Sequence, residues 1–133
     1  MEGRTRVLVV DDEQRFAANL VKLLGIHGID AEAAFSGEEA LPRLREGEHH
    51  VVLLDVRLSG ITGQATLERL RQEGVAAKVI ALTGHASAED ALELIRLGAF
   101  DYLLKPCNTE RLLEVIGKAR ARYDEERAGT PAR

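Results

Sequence analysis

The chain has 133 residues, 45% of them hydrophobic and 30% charged, with a net charge of −4; that balance suits one soluble globular domain large enough for a proper core. The acidic sum lacks the basic footprint that nucleic acid or an anionic membrane surface demands, and no apolar stretch approaches the length that spans a bilayer. Cys107 is the only cysteine, which precludes an internal disulfide and suits a reducing compartment; with no signal-like apolar segment after the charged N-terminus, the expected location is cytoplasmic.

Strand and helix signals alternate along the chain. Residues 6–10, Arg-Val-Leu-Val-Val, predict a buried first strand that ends on Asp11 and Asp12. Phe16, Leu20, Leu23 and Leu24 recur at helical spacing over 13–24, and Gly25 or Gly28 can stop that helix. Residues 30–35 predict a weaker strand, poor in β-branched side chains. Ser36 with Glu39 forms a capping-box pattern that opens a helix over 38–45, where Pro42 predicts a kink or a late start. Residues 51–55, Val-Val-Leu-Leu-Asp, form an apolar run with no polar face, as in a strand covered on both sides, and it ends abruptly on Asp55. Thr62 or Gly63 begins a helix through about residue 72. A fourth strand at 78–82 ends on Thr83 and Gly84, and Ser87 with Asp90 caps a helix carrying Ala91, Leu94, Ile95 and Leu97 to Gly98. A short fifth strand at 101–104 ends at Lys105-Pro106. Asn108 or Thr109 then caps a last helix with Leu112, Val115, Ile116 and Ala119 on one stripe. The expected domain covers 1–126, and 127–133 is expected to be a flexible tail or the start of a linker.

Five β–α units predict an α/β fold with a parallel sheet covered by helices on both faces. Right-handed crossovers favour the doubly wound order 2-1-3-4-5, which is flavodoxin-like. That order makes strands one and three neighbours, so Asp11, Asp12 and Asp55 converge on one edge with Thr83 and Lys105. Such close like charges repel unless a cation neutralises them, and oxygen-only donors suit Mg²⁺. Three carboxylates, one divalent ion and Lys105 balance in charge.

Four stretches carry a family resemblance: Val-Leu-Val-Val-Asp-Asp-Glu, Leu-Leu-Asp-Val-Arg-Leu-Ser-Gly, Ala-Leu-Thr-Gly and Gly-Ala-Phe-Asp-Tyr-Leu-Leu-Lys-Pro. In this order, each at a strand end, they resemble the receiver domain of two-component response regulators, over about residues 6–122. The resemblance implies that Asp55 accepts a phosphoryl group from a phosphohistidine on a sensor histidine kinase or phosphotransfer protein. It implies that Asp12 ligates Mg²⁺ directly and Asp11 through water, with Asp55 and the backbone carbonyl of Arg57 as further ligands. Lys105 would pair with phosphoryl oxygens and Thr83 would hydrogen-bond them, Tyr102 would reposition on activation, and Lys105-Pro106 would be a cis peptide. Arg57, Gly84 and His85 would form the rim by which water reaches the phosphoryl group. A homodimer or effector would dock on the face of the fourth helix, fifth strand and fifth helix. The only catalysis expected is the chain's own phosphorylation and slow dephosphorylation. Ser59 stands where the family commonly has proline and Thr62 where an acidic residue is common, which affects loop shape.

Competing readings lack their residues. A haloacid-dehalogenase-type phosphatase needs a second Asp where this chain has Arg57, and neither a P-loop nor a Rossmann glycine pattern occurs. An interaction module of the same fold that works without phosphorylation is the alternative, against which the intact acid, threonine and lysine set argues. His49 and His50, adjacent at a strand entrance, point apart and are expected in solvent. Cys107 is expected to be inert, and Lys118, Arg120 and Arg122 to form a solvated helix face.

Overall fold

The computed structural model describes residues 3–58, 60–84 and 88–129; Ser87 and its expected cap lie outside them. The elements are β1 (Arg6–Val10), α1 (Gln14–Ile26), β2 (Asp30–Ala34), α2 (Gly37–Glu46), β3 (Val51–Leu54), α3 (Gly63–Gln72), β4 (Lys78–Thr83), α4 (Ala88–Arg96), β5 (Asp101–Leu104) and α5 (Thr109–Gly129). All strand pairs are parallel, in the order β2-β1-β3-β4-β5. This is the doubly wound topology expected from the alternation of units.

Strand side chains alternate between two faces, and here both faces are buried. Val7, Val9, Val51, Leu53, Ile80 and Leu82 pack with Ala17, Leu20 and Leu24 of α1 and with Leu112, Val115, Ile116 and Ala119 of α5. Leu8, Val10, Val52, Leu54, Val79 and Ala81 pack on the opposite face with Ala40, Leu41 and Leu44 of α2, Leu67 and Leu70 of α3, and Leu94 of α4. That is why the central strands β1, β3 and β4 are wholly apolar between their first residues and their carboxyl ends. Burying each such Val, Leu or Ile contributes about 1.5–3 kcal/mol.

Helix ends follow local chemistry with some differences. Helix α1 runs through Gly25 to Ile26 and is turned by Gly28 at φ +82°. At α2, Ser36 Oγ accepts from Glu39 N at 3.0 Å, and Glu39 Oε1 accepts from Phe35 N, one residue before the usual reciprocal partner. The helix opens at Gly37, so Pro42 delays nothing. Thr62 Oγ1 caps α3 by accepting from Ala65 N, and Asn108 Oδ1 caps α5 by accepting from Arg111 N.

Three expectations are corrected near the amino edge of the sheet. Residues 127–129 are helical, because α5 continues to Gly129. Its last turns are tied down by Lys78 Nζ, 2.5 Å from Glu126 Oε1, and by Arg120, which donates to Thr5 Oγ1 and Gly3 O. Arg120 is therefore only 14% exposed in its side chain, unlike the solvated face expected. The two histidines do point apart, but neither is solvated. His49 Nε2 lies 2.8 Å from Glu32 Oε2 with its side chain 3% exposed. His50 Nδ1 accepts from Arg6 N at 2.9 Å while its ring meets Tyr123 edge-on at 4.9 Å.

Burial first, and then the nearby Arg120, hold the His50 imidazole below its ordinary 6.5, against a weaker upward pull from Asp124. The folded chain thus resists a proton that the unfolded chain accepts. Stability from this group is complete above the ordinary value and is lost as pH falls from there toward the lower folded value. His50→Asn keeps an acceptor for Arg6 N without titrating. Melting temperature should fall less for this variant than for wild type between about pH 7 and pH 5.5, and equal falls would overturn the assignment.

Candidate functional site at the carboxyl edge of the sheet

Backbone register brings the polar strand ends together. Val10 pairs with Leu54, so the next residues, Asp11 and Asp55, leave adjacent strands side by side. Asp55 N donates to Val10 O at 3.0 Å, Asp11 N to Ala34 O at 3.0 Å, and Lys105 N to Thr83 O at 3.0 Å. Carboxylate oxygens of Asp11, Asp12 and Asp55 all lie within 4.8 Å of one another. Asp11 is 2% exposed and Asp55 4%.

Lys105 reaches over this cluster from β5. Its Nζ lies 2.6 Å from Asp11 Oδ2, 3.2 Å from Glu13 Oε1 and 3.6 Å from Asp55 Oδ2. The same nitrogen stands 4.1 Å above the centre of the Phe16 ring. Backbone N–H groups orient the acids: Glu13 N donates to Asp11 Oδ1 at 2.9 Å and Arg57 N to Asp55 Oδ1 at 3.1 Å. The Lys105-Pro106 bond is cis.

Burial is the largest influence on Asp11 and, reinforced by Asp55, raises its carboxyl above the ordinary range despite opposing hydrogen bonds from Lys105 and Glu13 N. Burial also works against the Lys105 charge, but Asp11, Asp55 and Glu13 together outweigh it and hold the ammonium above its ordinary value. One ammonium thus faces more carboxylates than it can balance. The donor set is all oxygen and partly buried, which fits a hard divalent cation such as Mg²⁺.

The remaining expected residues fall into place unevenly. Thr83 is fully buried at the end of β4, and Gly84 follows it beside Lys105. Tyr102 is 38% exposed; its register partner Ala81 belongs to the α4-side core, so Tyr102 stands on that side of β5. Arg57 touches Asp55 through its backbone N–H while the residue is exposed. His85 and Ser59 lie outside the described residues.

Three contributors were absent from the sequence reading. Glu13 directly follows the acid pair, so its place in the run was a usable signal. Phe16 was assigned to the helix core on its spacing, which gave no hint of Lys105. Gly63 N donates to Val56 O at 3.1 Å, and a Cβ there would run into the Asp55 carbonyl and the Val56 backbone. Glycine is what lets α3 start directly against the Asp55 loop.

Comparison with known proteins points one way. The family model described as response regulator receiver domain matches residues 7–117. The transcriptional regulatory protein ZraR of Salmonella typhimurium is 36% identical over 132 residues, covering 99% of this chain and 30% of that protein. The transcriptional regulatory protein DltR of Streptococcus agalactiae is 35% identical over 111 residues, covering 84% and 50%. The chain therefore spans about 30% of the length of the first curated relatives it matches. A CheY-like receiver domain structure from Methanospirillum hungatei superposes with a TM-score of 0.87 at 28% identity, covering 93% of this chain and 99% of that one. NtrX from Brucella abortus in complex with ADP superposes with a TM-score of 0.89 at 29% identity, covering 98% and 30%.

The charge imbalance sets opposite expectations for two variants. Asp55→Asn relieves repulsion while keeping shape, and thermal denaturation should show a stabilisation of about 1–2 kcal/mol at neutral pH. Lys105→Met leaves buried carboxylates uncompensated and should cost about 3 kcal/mol. A destabilised Asp55→Asn protein would contradict this account of the cluster.

Proposed function

The chain belongs to the response regulator receiver domain family of two-component signalling, and from that premise we propose that Asp55 accepts a phosphoryl group from the phosphohistidine of a sensor histidine kinase or phosphotransfer protein. The observation that carries this reading is a nearly buried Asp55 carboxylate within reach of Lys105 Nζ at 3.6 Å, beside two further acids. An Asp55 oxygen attacks phosphorus in line, the bond from phosphorus to the donor imidazole nitrogen breaks, and an acyl phosphate forms. Such transfers require positioning and charge neutralisation more than covalent assistance.

Asp11, Asp12, Asp55 and the backbone carbonyl of Arg57 would hold Mg²⁺, which when bound supplies positive charge to the phosphoryl oxygens. Lys105 pairs with one phosphoryl oxygen, and the Thr83 hydroxyl donates to another. Arg57 N–H holds Asp55 in orientation through Oδ1. The chain's catalysis is limited to its own phosphorylation and slow dephosphorylation.

The added charge, about −1.5 to −2, draws Thr83 inward and lets Tyr102 follow, changing the face of α4, β5 and α5. Exposed Leu92 and Ile95 on α4 and Tyr102 and Leu104 on β5 give that face an apolar strip suited to a homodimer or effector.

Incubation with acetyl phosphate and Mg²⁺ should add the mass of one phosphoryl group. Asp55→Ala or a chelator should abolish the adduct, and Lys105→Ala should slow its formation by an order of magnitude or more. Persistence of the adduct in Asp55→Ala would move the acceptor elsewhere. Arg57→Ala combined with His85→Ala should shed phosphate several-fold faster in Mg²⁺, about 1 kcal/mol of barrier; unchanged or slower decay would remove both side chains from the water path.

A further inference from the structure

We propose that Phe16 is a positioning residue for Lys105, its ring face holding the ammonium over the acid cluster where a phosphoryl group arrives. The consequence for phosphorylation rests on the phosphoacceptor reading above; the contact itself does not. Lys105 follows β5, at the far edge of the sheet, yet its Nζ meets Asp11 at the end of β1. A four-carbon stem that long has many rotamers, and point-like ammonium contacts with carboxylates leave much of that freedom in place.

Three groups surround its Nζ from the β1–α1 segment: Asp11 Oδ2, Glu13 Oε1 and, 4.1 Å away, the centre of the Phe16 ring. An aromatic face attracts a cation most where water is excluded, and the Lys105 side chain is only 11% exposed. The ring thus meets the ammonium alongside the carboxylate oxygens.

Phe16 sits half-buried in the first turn of α1, packed against the α1–α5 core, and helps to line an open apolar groove of about 200 Å³ with Leu20, Leu23, Pro106, Cys107 and Leu112. Pro106 directly follows Lys105, so the ring and the segment that sets where the lysine backbone lies line the same groove. A leucine would line such a groove with apolar surface as a phenylalanine does, yet presents no negative face to a cation. That difference separates a positioning role from a packing role.

Phe16→Leu and Phe16→Tyr make the test. In the wild-type chain and in Phe16→Tyr, nuclear magnetic resonance should show the Lys105 Hε protons displaced upfield by the ring current; in Phe16→Leu they should return toward their free-lysine position. Titration with beryllofluoride and Mg²⁺, which mimics the phosphoryl group, should show binding weakened several-fold in Phe16→Leu and restored in Phe16→Tyr. Absence of the upfield displacement in wild type, beryllofluoride binding by Phe16→Leu equal to wild type, or failure of Phe16→Tyr to restore it would overturn the proposal. If wild type binds no beryllofluoride while the displacement follows the ring as stated, the phosphoacceptor reading falls and the Phe16 contact stands.

Discussion

The ion pair between Lys105 and Asp11 is the constraint on which this molecule turns. It joins residues 94 positions apart, at 2.6 Å, with both side chains nearly withdrawn from water. Such a pair repays its desolvation only when the geometry is good and other hydrogen bonds satisfy what remains. Here Glu13 N serves the second Asp11 oxygen, and Glu13 Oε1 and Phe16 flank the ammonium. None of this is possible unless β1 and β3 are neighbours and β4 and β5 follow in order. The sheet topology is thus the precondition of the electrostatics.

Burial on both faces explains why the chemistry sits at an edge. A strand sandwiched between two helical layers has no room for a polar side chain along its length. Polar groups are pushed to the strand ends, and in a parallel sheet the carboxyl ends all face one way. Asp11, Asp55 and Thr83 each follow or close such a run, and Lys105 follows the edge strand β5 beside them. Burying acids there opposes stability, as the Asp11 carboxyl shows, raised first by burial and to a lesser degree by Asp55. Active sites commonly carry this kind of cost, which the two apolar cores offset.

The fold was legible because its signals are local. The apolar runs at 6–10, 51–55 and 78–82, the Ser36–Glu39 pair and the Leu112–Ala119 stripe each describe their own element, and alternation with right-handed crossovers then favours the order. The acid trio, Thr83 and Lys105 were legible for the same reason, being fixed to strand ends. What escaped depends on contacts distant in sequence. Phe16 looks like any helix-core residue until Lys105 is known to lie over it. His49 and His50 look solvated until Glu32, Arg6 and Tyr123 are brought to them. The length of α5 escaped because its last turns are polar, and polar residues hold a helix only where partners such as Lys78 and Thr5 wait. Gly63 reads as a helix start, and only the approach of the Asp55 carbonyl reveals why no side chain fits.

The two helices flanking β5 are held very differently, and that asymmetry bears on where a change in charge at Asp55 can be expressed. Helix α5 buries Leu112, Val115, Ile116 and Ala119 and is pinned beyond them by Tyr123, Arg120 and Glu126. Helix α4 buries Ala91 and Leu94, while Leu92 and Ile95 are exposed, as are Tyr102 and Leu104 of β5. Regions with fewer buried apolar contacts open at lower free energy than those with many. A perturbation entering at Thr83, which closes β4 immediately before the segment leading into α4, therefore meets less resistance toward α4 and β5 than toward α5. For the proposed switch, the pinned helix would supply the fixed frame and the less buried face the motion; a switch requires both, because a surface can present two arrangements only against something that keeps one.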